Sequence, residues 1–278
     1  MAKQYICNTD VIEQALDRLK ADGLVSDKAY FNYEAGNNLR REVTYRDFDF
    51  LTRLGRTAEE ETIGSILEWL KKEGIVPVDA DYDEGKFSAF REDVSKNFDI
   101  PGTSISPVME RLLYMLSSVK TPTRILGFGT YCGYALAWIT GPGWGKKRLY
   151  QFDQVYGIDI DGEAIEKARD NFSRIGYTDR IRLLAEDGLM YAEKLEGLFD
   201  FVYLDVDSRE SGKSIYMDLL ESVYGRIIDG GWILAHDVGV PGFAEQLKTY
   251  LSFVRDKKNF RESLFFDIDP FGLELSIK

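Results

Sequence analysis

The chain has 278 residues, 44% of them hydrophobic and 29% charged, with a formal net charge of −12. This is the balance of a soluble globular protein. The acidic excess argues against binding along a nucleic-acid backbone, and no apolar run reaches the roughly 18 residues of a membrane span. The opening "MAKQYICNTDVIEQ" has neither the basic start nor the apolar stretch of a signal peptide. Cys7 and Cys132 lack metal-type spacing, and His236 is the single histidine, which excludes a multi-histidine metal centre. A reduced, cytoplasmic setting is expected.

The first hundred residues read as a helical extension. "TDVIEQALDRLKADG" (9–23) predicts an amphipathic helix. Asp10 and Glu13 form its capping box, Val11, Ile12, Ala15, Leu16 and Leu19 its apolar stripe, and Gly23 its stop. "AYFNYEAGNNLRREVTYRDFDFL" (29–51) is aromatic and charged without a clear period. "TAEEETIGSILEWLKKEG" (57–74) predicts a second helix, capped by Thr57 with Glu60 and striped by Ile63, Ile66, Leu67 and Leu70. "DADYDEGKF" (79–87) reads as an exposed acidic loop.

From Ser106 strands and helices alternate. "SPVMERLLYML" is a helix with Ser106 as N-cap and Pro107 at its first position. Strands follow at "RILGFG", "QVYGIDI", "IRLLAED", "FDFVYLDVD" and "GWILAHDV", separated by helical "ALAWIT", "DGEAIEKARDNFSRIG", "KSIYMDLLESVYGRII" and "PGFAEQLKTYLSFV". The strands "SLFFDID" and "LELSIK" close the chain around Pro270 and Gly272. The expected fold is α/β and Rossmann-like. Its sheet has seven strands, mostly parallel with the last antiparallel, over residues 101–278, and residues 1–100 are appended to it.

Such sheets bind ligands at the C-terminal ends of their strands. There the first strand runs into a loop with Gly127, Gly129 and Gly133, spaced G-x-G-x-x-x-G. This is one residue longer than a dinucleotide fingerprint, and no Lys-Ser/Thr pair follows as in a phosphate-cradling loop. Acids end the next two strands. Asp159 suits the hydroxyls of a ribose, and Glu186 or Asp187 suits an adenine amino group. Tyr131 and Tyr134 would accommodate a cationic ligand. The pattern points to a nucleoside without phosphates; a bare strand-to-helix turn, with Asp159 as a helix cap, is the plainer alternative.

These motifs resemble class I S-adenosylmethionine-dependent methyltransferases. The likeness is to the catechol O-methyltransferase-like enzymes and to a related family whose fourth-strand region ends in "HDV". "GTYCGYALA" resembles their first motif. "VYGIDIDGEAIEKARDNFSRIGYTDRIRLLAEDG" resembles their ribose strand, helix and adenine strand, and "FDFVYLDVD" and "GGWILAHDVGVPG" resemble the fourth and fifth strands. The resemblance covers residues 104–278. It implies a cofactor site of Ser106, Gly127, Gly129, Tyr131, Gly133, Tyr134, Asp159, Ile160, Glu186, Asp187, Gly188 and Asp205. Gly127 stands where the family usually has an acid that helps to hold the methionine amino group.

In the catechol-type relatives the positions of Asp205, His236 and Asp237 hold magnesium, so the resemblance implies a divalent-metal option at these residues. A metal there would clamp two adjacent substrate oxygens. The rival reading has no ion and uses His236 as the base. The family's lysine, three residues after the first Asp, is replaced here by Ser208. Lys213 is a candidate for its catalytic part, against the plainer reading of a solvated loop lysine. The reading reached is an O-methyltransferase for a small-molecule acceptor, with residues 1–100 as a lid, a homodimer surface or both, and with no nucleic-acid or membrane partner. A nicotinamide-dependent oxidoreductase and a catalytically inactive nucleoside-binding module are the alternatives.

Overall fold

The computed structural model describes residues 3–6, 17, 20, 21, 23, 33–34, 40–41, 48–100, 104–145, 148–176 and 180–278. Its strands are β1 (Lys3–Ile6), β2 (Tyr33–Glu34), β3 (Arg40–Arg41), β4 (Arg124–Phe128), β5 (Gln154–Asp159), β6 (Ile181–Ala185), β7 (Phe199–Leu204), β8 (Ile227–His236), β9 (Glu262–Asp267) and β10 (Leu273–Ile277). β2 and β3 form a small antiparallel ribbon; the other eight form one sheet in the order β1-β9-β10-β8-β7-β4-β5-β6. β4 through β8 run parallel, and β10 is antiparallel to both of its neighbours. The chain leaves β4 toward β5 and β6, then returns to the other side of β4 for β7. The switch point therefore lies at β4, under the glycine loop.

Successive side chains of a strand face opposite sides, and here both sides are buried. Ile125, Val155, Phe201, Tyr203 and Leu234 look into one core, and Leu126, Phe128, Ile158, Val202, Leu204 and Ala235 into the other. The first core is covered by α1 (Phe48–Lys72), α2 (Glu84–Asn97), α3 (Pro107–Lys120), α4 (Tyr134–Thr140) and α5 (Gly162–Arg174). The second is covered by α6 (Gly188–Ala192), α7 (Ile215–Tyr224) and α8 (Ala244–Val254). Near-continuous apolar strands are what a sheet covered on both faces requires.

The seven strands expected from residue 124 onward are present, with an eighth, β1, added at the edge. β1 runs parallel to β9, with Lys3 opposite Leu264, and Lys3 Nζ lies 2.8 Å from Glu73. Four residues carry too short a pattern to announce a strand.

Four other expectations change. Thr57 is not a cap: α1 already runs from Phe48, because a capping pattern stops nothing when the preceding turn is also helix-compatible. The acidic loop ends at Asp83, which caps α2 by accepting from Lys86 N–H at 2.9 Å. That helix buries only Phe87 and Val94 fully, so its period is faint in sequence, and contact decides its place. Phe87 meets the rings of Tyr114 and Trp138 at 5.2 and 5.7 Å. α7 stops at Tyr224, and "RII" turns instead into β8, which begins at Ile227. α6 is a further short helix, set off by the Asp187 cap.

The helix expected over 9–23 lies outside the described residues except at Asp17, Lys20, Ala21 and Gly23. The first three of these are helical, and Gly23, at φ +69°, donates to the Lys20 carbonyl at 3.0 Å. Most of the aromatic stretch 29–51 also lies outside them.

α1, α2 and α3 are joined by buried charge as well as by apolar contact. Arg111 on α3 is 1% exposed. It reaches Glu59 at 2.5 Å and also pairs with Glu84. Arg91 on α2 spans Glu59 and Glu110, each at 2.9 Å. Removing one member of such a buried set strands its partner.

Candidate active site

The glycine loop is shaped by close backbone approach. At Gly129, φ is +80° and a Cβ would stand 1.9 Å from the carbonyl oxygen of Asp205. At Gly133, φ is +83° and a Cβ would strike Phe172 at 2.6 Å. Only glycine meets both demands, a left-handed backbone and no room. Gly127 is different: a Cβ there would find Leu136 at an ordinary 3.5 Å, so steric demand does not explain this glycine. Tyr131, with φ +47°, exposes 40% of its surface beside the loop. Tyr134 turns inward, its hydroxyl donating to Glu110 at 2.7 Å.

Asp159, at the end of β5, accepts from Tyr131 N–H at 2.8 Å through one oxygen and from Asp161 N–H at 3.0 Å through the other. Each carboxylate oxygen keeps a further lone pair for a ligand hydroxyl. The capping of α5 is done by Asp161, which accepts from Glu163 and Ala164 N–H at 2.9 and 3.2 Å, so Asp159 is left for another purpose. Ile160 beside it is 75% exposed, an apolar side chain held in the open next to the ribose candidate. Glu186 N–H donates to Asp159 O at 2.9 Å, which brings the end of β6 to the same edge. The Asp187 carboxylate is engaged as the α6 cap, 3.1 Å from Met190 N–H. Gly188 packs against Phe128, which a Cβ would meet at 2.9 Å. Ser106 caps α3 and donates to Asp269 in the β9–β10 turn.

Asp205, Lys213, His236 and Asp237 come together at the ends of β7 and β8. Lys213 is the correction here. It is 2% exposed rather than solvated, and its ammonium lies 2.6 Å from Asp237, 3.3 Å from Asp205 and 3.2 Å from the Tyr216 hydroxyl. Its place is set by the backbone, since its N–H donates to Gln246 at 2.7 Å and Ser208 and Gly212 bridge just before it. Tyr216 donates to the His236 carbonyl at 3.1 Å, and Tyr203 donates to Asp205 at 3.2 Å. His236 Nδ1 lies 3.3 Å from Asp237 and 3.5 Å from Asp205. Both ring nitrogens are buried without an aligned hydrogen bond among the described residues. The ring stacks on Phe271 at 5.7 Å. Sequence reasoning passed over Tyr203, Tyr216, Asp269 and Phe271, which come from three separate segments. The one local signal was the three-residue step from Lys213 to Tyr216 at a helix start.

The electrostatics follow from this packing. Burial works against the Asp205 carboxylate, yet His236 and Lys213 outweigh it and hold its pKa below the usual range. Burial likewise opposes charge on His236 and Lys213, and the carboxylates overcome it, raising both.

Asp205, His236 and Asp237 can each offer a ligand atom within 4.8 Å of the others, a grouping that could hold a metal ion. Its donor types suit a divalent cation. The Lys213 ammonium, however, already pairs with one oxygen of each carboxylate, so an added ion would have to share both with a resident cation.

Residues 126–238 match the family model described as "Methyltransferase domain". The match spans β4 to just past Asp237 and so takes in both strand-end groups. No protein with a curated functional description matches the sequence. Three solved structures are similar in fold. An SAH-bound methyltransferase from Podospora anserina is 18% identical, with a TM-score of 0.55 over 79% of this chain and 96% of its own. An O-methyltransferase from Bacillus cereus in complex with SAH is 18% identical, with a TM-score of 0.51 over 77% and 96%. The O-methyltransferase TomG from Streptomyces achromogenes, in complex with SAM, is 15% identical, with a TM-score of 0.52 over 77% and 95%.

Proposed function

We propose that this chain, in which residues 126–238 match a methyltransferase-domain model, is an S-adenosylmethionine-dependent O-methyltransferase acting on a hydroxyl of a small molecule. One observation carries the reading. Gly129 packs directly on the Asp205 carbonyl, so the loop beside Asp159 and the polar cluster beside His236 are two halves of one cleft at the β4 switch point. A nucleoside held at one half presents its far end to the other.

S-adenosylmethionine supplies an electrophilic methyl group on a sulfonium sulfur. Asp159 accepts from the ribose hydroxyls with its remaining lone pairs, Ile160 lies along the adenine, and Glu186 accepts from the adenine amino group. The bare Gly127 leaves no side-chain acid in the strand below the methionine end, and the Asp205 backbone lies against Gly129 across the loop. On the acceptor side, His236 takes the proton of the attacking hydroxyl as the carbon–oxygen bond forms and the carbon–sulfur bond breaks. Asp205 and Asp237 strengthen the imidazole as a base and also keep it charged at rest. Turnover therefore runs through the fraction of enzyme in which the ring enters neutral. Holding donor and acceptor in line supplies much of the rate, and the base supplies about 10²–10⁴-fold more.

The N-terminal helices belong to this reading as cover for the acceptor side and as the surface of a homodimer. The cytoplasmic setting draws support from the buried free thiol of Cys132. No helix among the described residues is long and apolar enough to cross a membrane.

The test is calorimetry with S-adenosylhomocysteine. Asp159→Ala leaves two ligand hydroxyls without their acceptor, a loss of about 1–3 kcal/mol, and affinity falls at least about tenfold. Unchanged affinity removes the ribose assignment.

A further inference from the structure

We propose that Lys213 is a tethered cation standing where a divalent ion would otherwise sit, and that the Asp205–His236–Asp237 cluster works without metal. The inference deepens the reading above and rests on it for its meaning in catalysis.

Three features of Lys213 carry it. First, an ammonium has three N–H donors, and Asp237, Asp205 and the Tyr216 hydroxyl are three acceptors within 3.3 Å. Every proton is used. Second, the side chain cannot easily swing away. Its backbone N–H is bonded to Gln246, the loop before it is closed by the Ser208–Gly212 bridge, and its ammonium faces the Phe243 ring, whose centre lies 5.6 Å from Nζ. Third, the Lys213 ammonium already sets a positive charge against Asp205 and Asp237, and an added divalent ion would stand against it inside a largely buried cluster, where like charges are poorly screened.

The consequence reaches the acceptor. A metal site favours a substrate with two adjacent oxygens to chelate. A buried imidazole acting as base without a metal needs only a single hydroxyl within hydrogen-bond reach. The geometry therefore points to acceptors with one ionisable hydroxyl, with no neighbouring oxygen required.

Manganese binding tests this on the full chain, without cofactor or acceptor. The result is thus separable from the methyltransferase reading, which stands or falls on S-adenosylhomocysteine binding. Free manganese is counted by its paramagnetic resonance signal during titration of wild type, Lys213→Met and Lys213→Met/Asp205→Asn. Wild type is expected to show no saturable site below about 1 mM, far weaker than dedicated divalent sites. Lys213→Met is expected to gain one site, bound at least about tenfold more tightly, as two carboxylates and an imidazole lose their internal cation. The double variant is expected to lose that site again. If Lys213→Met fails to fold, Lys213→Gln takes its place. A stoichiometric site in wild type that Asp205→Asn abolishes would overturn the proposal. So would a folded Lys213 variant that gains no manganese.

Discussion

The two halves of the proposed cleft are built by opposite means. On the cofactor half, the acids at the ends of β5 and β6 are held by backbone. Asp159 accepts from Tyr131 and Asp161 N–H, Asp161 caps α5, and Asp187 caps α6. On the acceptor half, Asp205, Lys213, His236 and Asp237 are held largely by one another and by two tyrosines. Backbone-held groups are each independent of the next. A mutually held cluster is coupled, so removing one member changes the state of the rest. The cofactor half should respond to substitution locally and modestly, and the acceptor half strongly and at several readouts together.

The largest effect is expected at His236. His236→Ala should lower the rate of methyl transfer by about 10³-fold while S-adenosylhomocysteine affinity stays within about threefold, as single-turnover kinetics and calorimetry would read. A rate within tenfold of wild type would mean that the acceptor half does not depend on its imidazole.

A second expectation concerns the buried charges behind the loop. Burial pushes the pKa of Glu110 up from 4.5 to about 7, with Arg91 and Tyr134 opposing and Glu59 assisting the rise. The fold binds this proton more tightly than the unfolded chain does. The corresponding stability is thus fully present below about pH 4.5 and is lost as pH rises through about 7. The loss is at most about 3 kcal/mol. Urea unfolding of wild type and Glu110→Gln at a series of pH values should show a slope in this window that the variant lacks. Parallel curves would indicate that Arg91 keeps the carboxylate charged throughout.

The smallest effect sharpens the contrast within the cofactor half. Asp161→Ala removes a cap and should cost about 1 kcal/mol of stability with little change in ligand affinity. Asp159→Ala should do the reverse. If both variants lose affinity equally, the division between capping and ligand-binding acids is wrong.

Much of the backbone geometry of the proposed cofactor half was legible in the residues. Gly129 and Gly133 announced a tight approach, and the strand-end acid Asp159 stood two positions before a cap, because local backbone chemistry writes itself in adjacent residues. The acceptor half was legible only as residue types. Asp205 and His236–Asp237 were visible at strand ends, but Lys213, on the loop before α7, read as solvated. α2 escaped notice because Phe87 and Val94 make too thin a stripe. It becomes stable only against Tyr114 and Trp138, which lie far along the chain.

By itself, then, the sequence determined the alternation of strands and helices, the switch at β4 and the loop that opens there. These depend on period and on backbone conformation, which neighbouring residues dictate. Tertiary structure alone decided that β1 joins the sheet, that α1 and α2 share a buried ion network with α3, and that the Lys213 ammonium comes to rest between Asp205 and Asp237. Those outcomes depend on which distant side chains are buried together. In a buried site, a charge settles where its partners are.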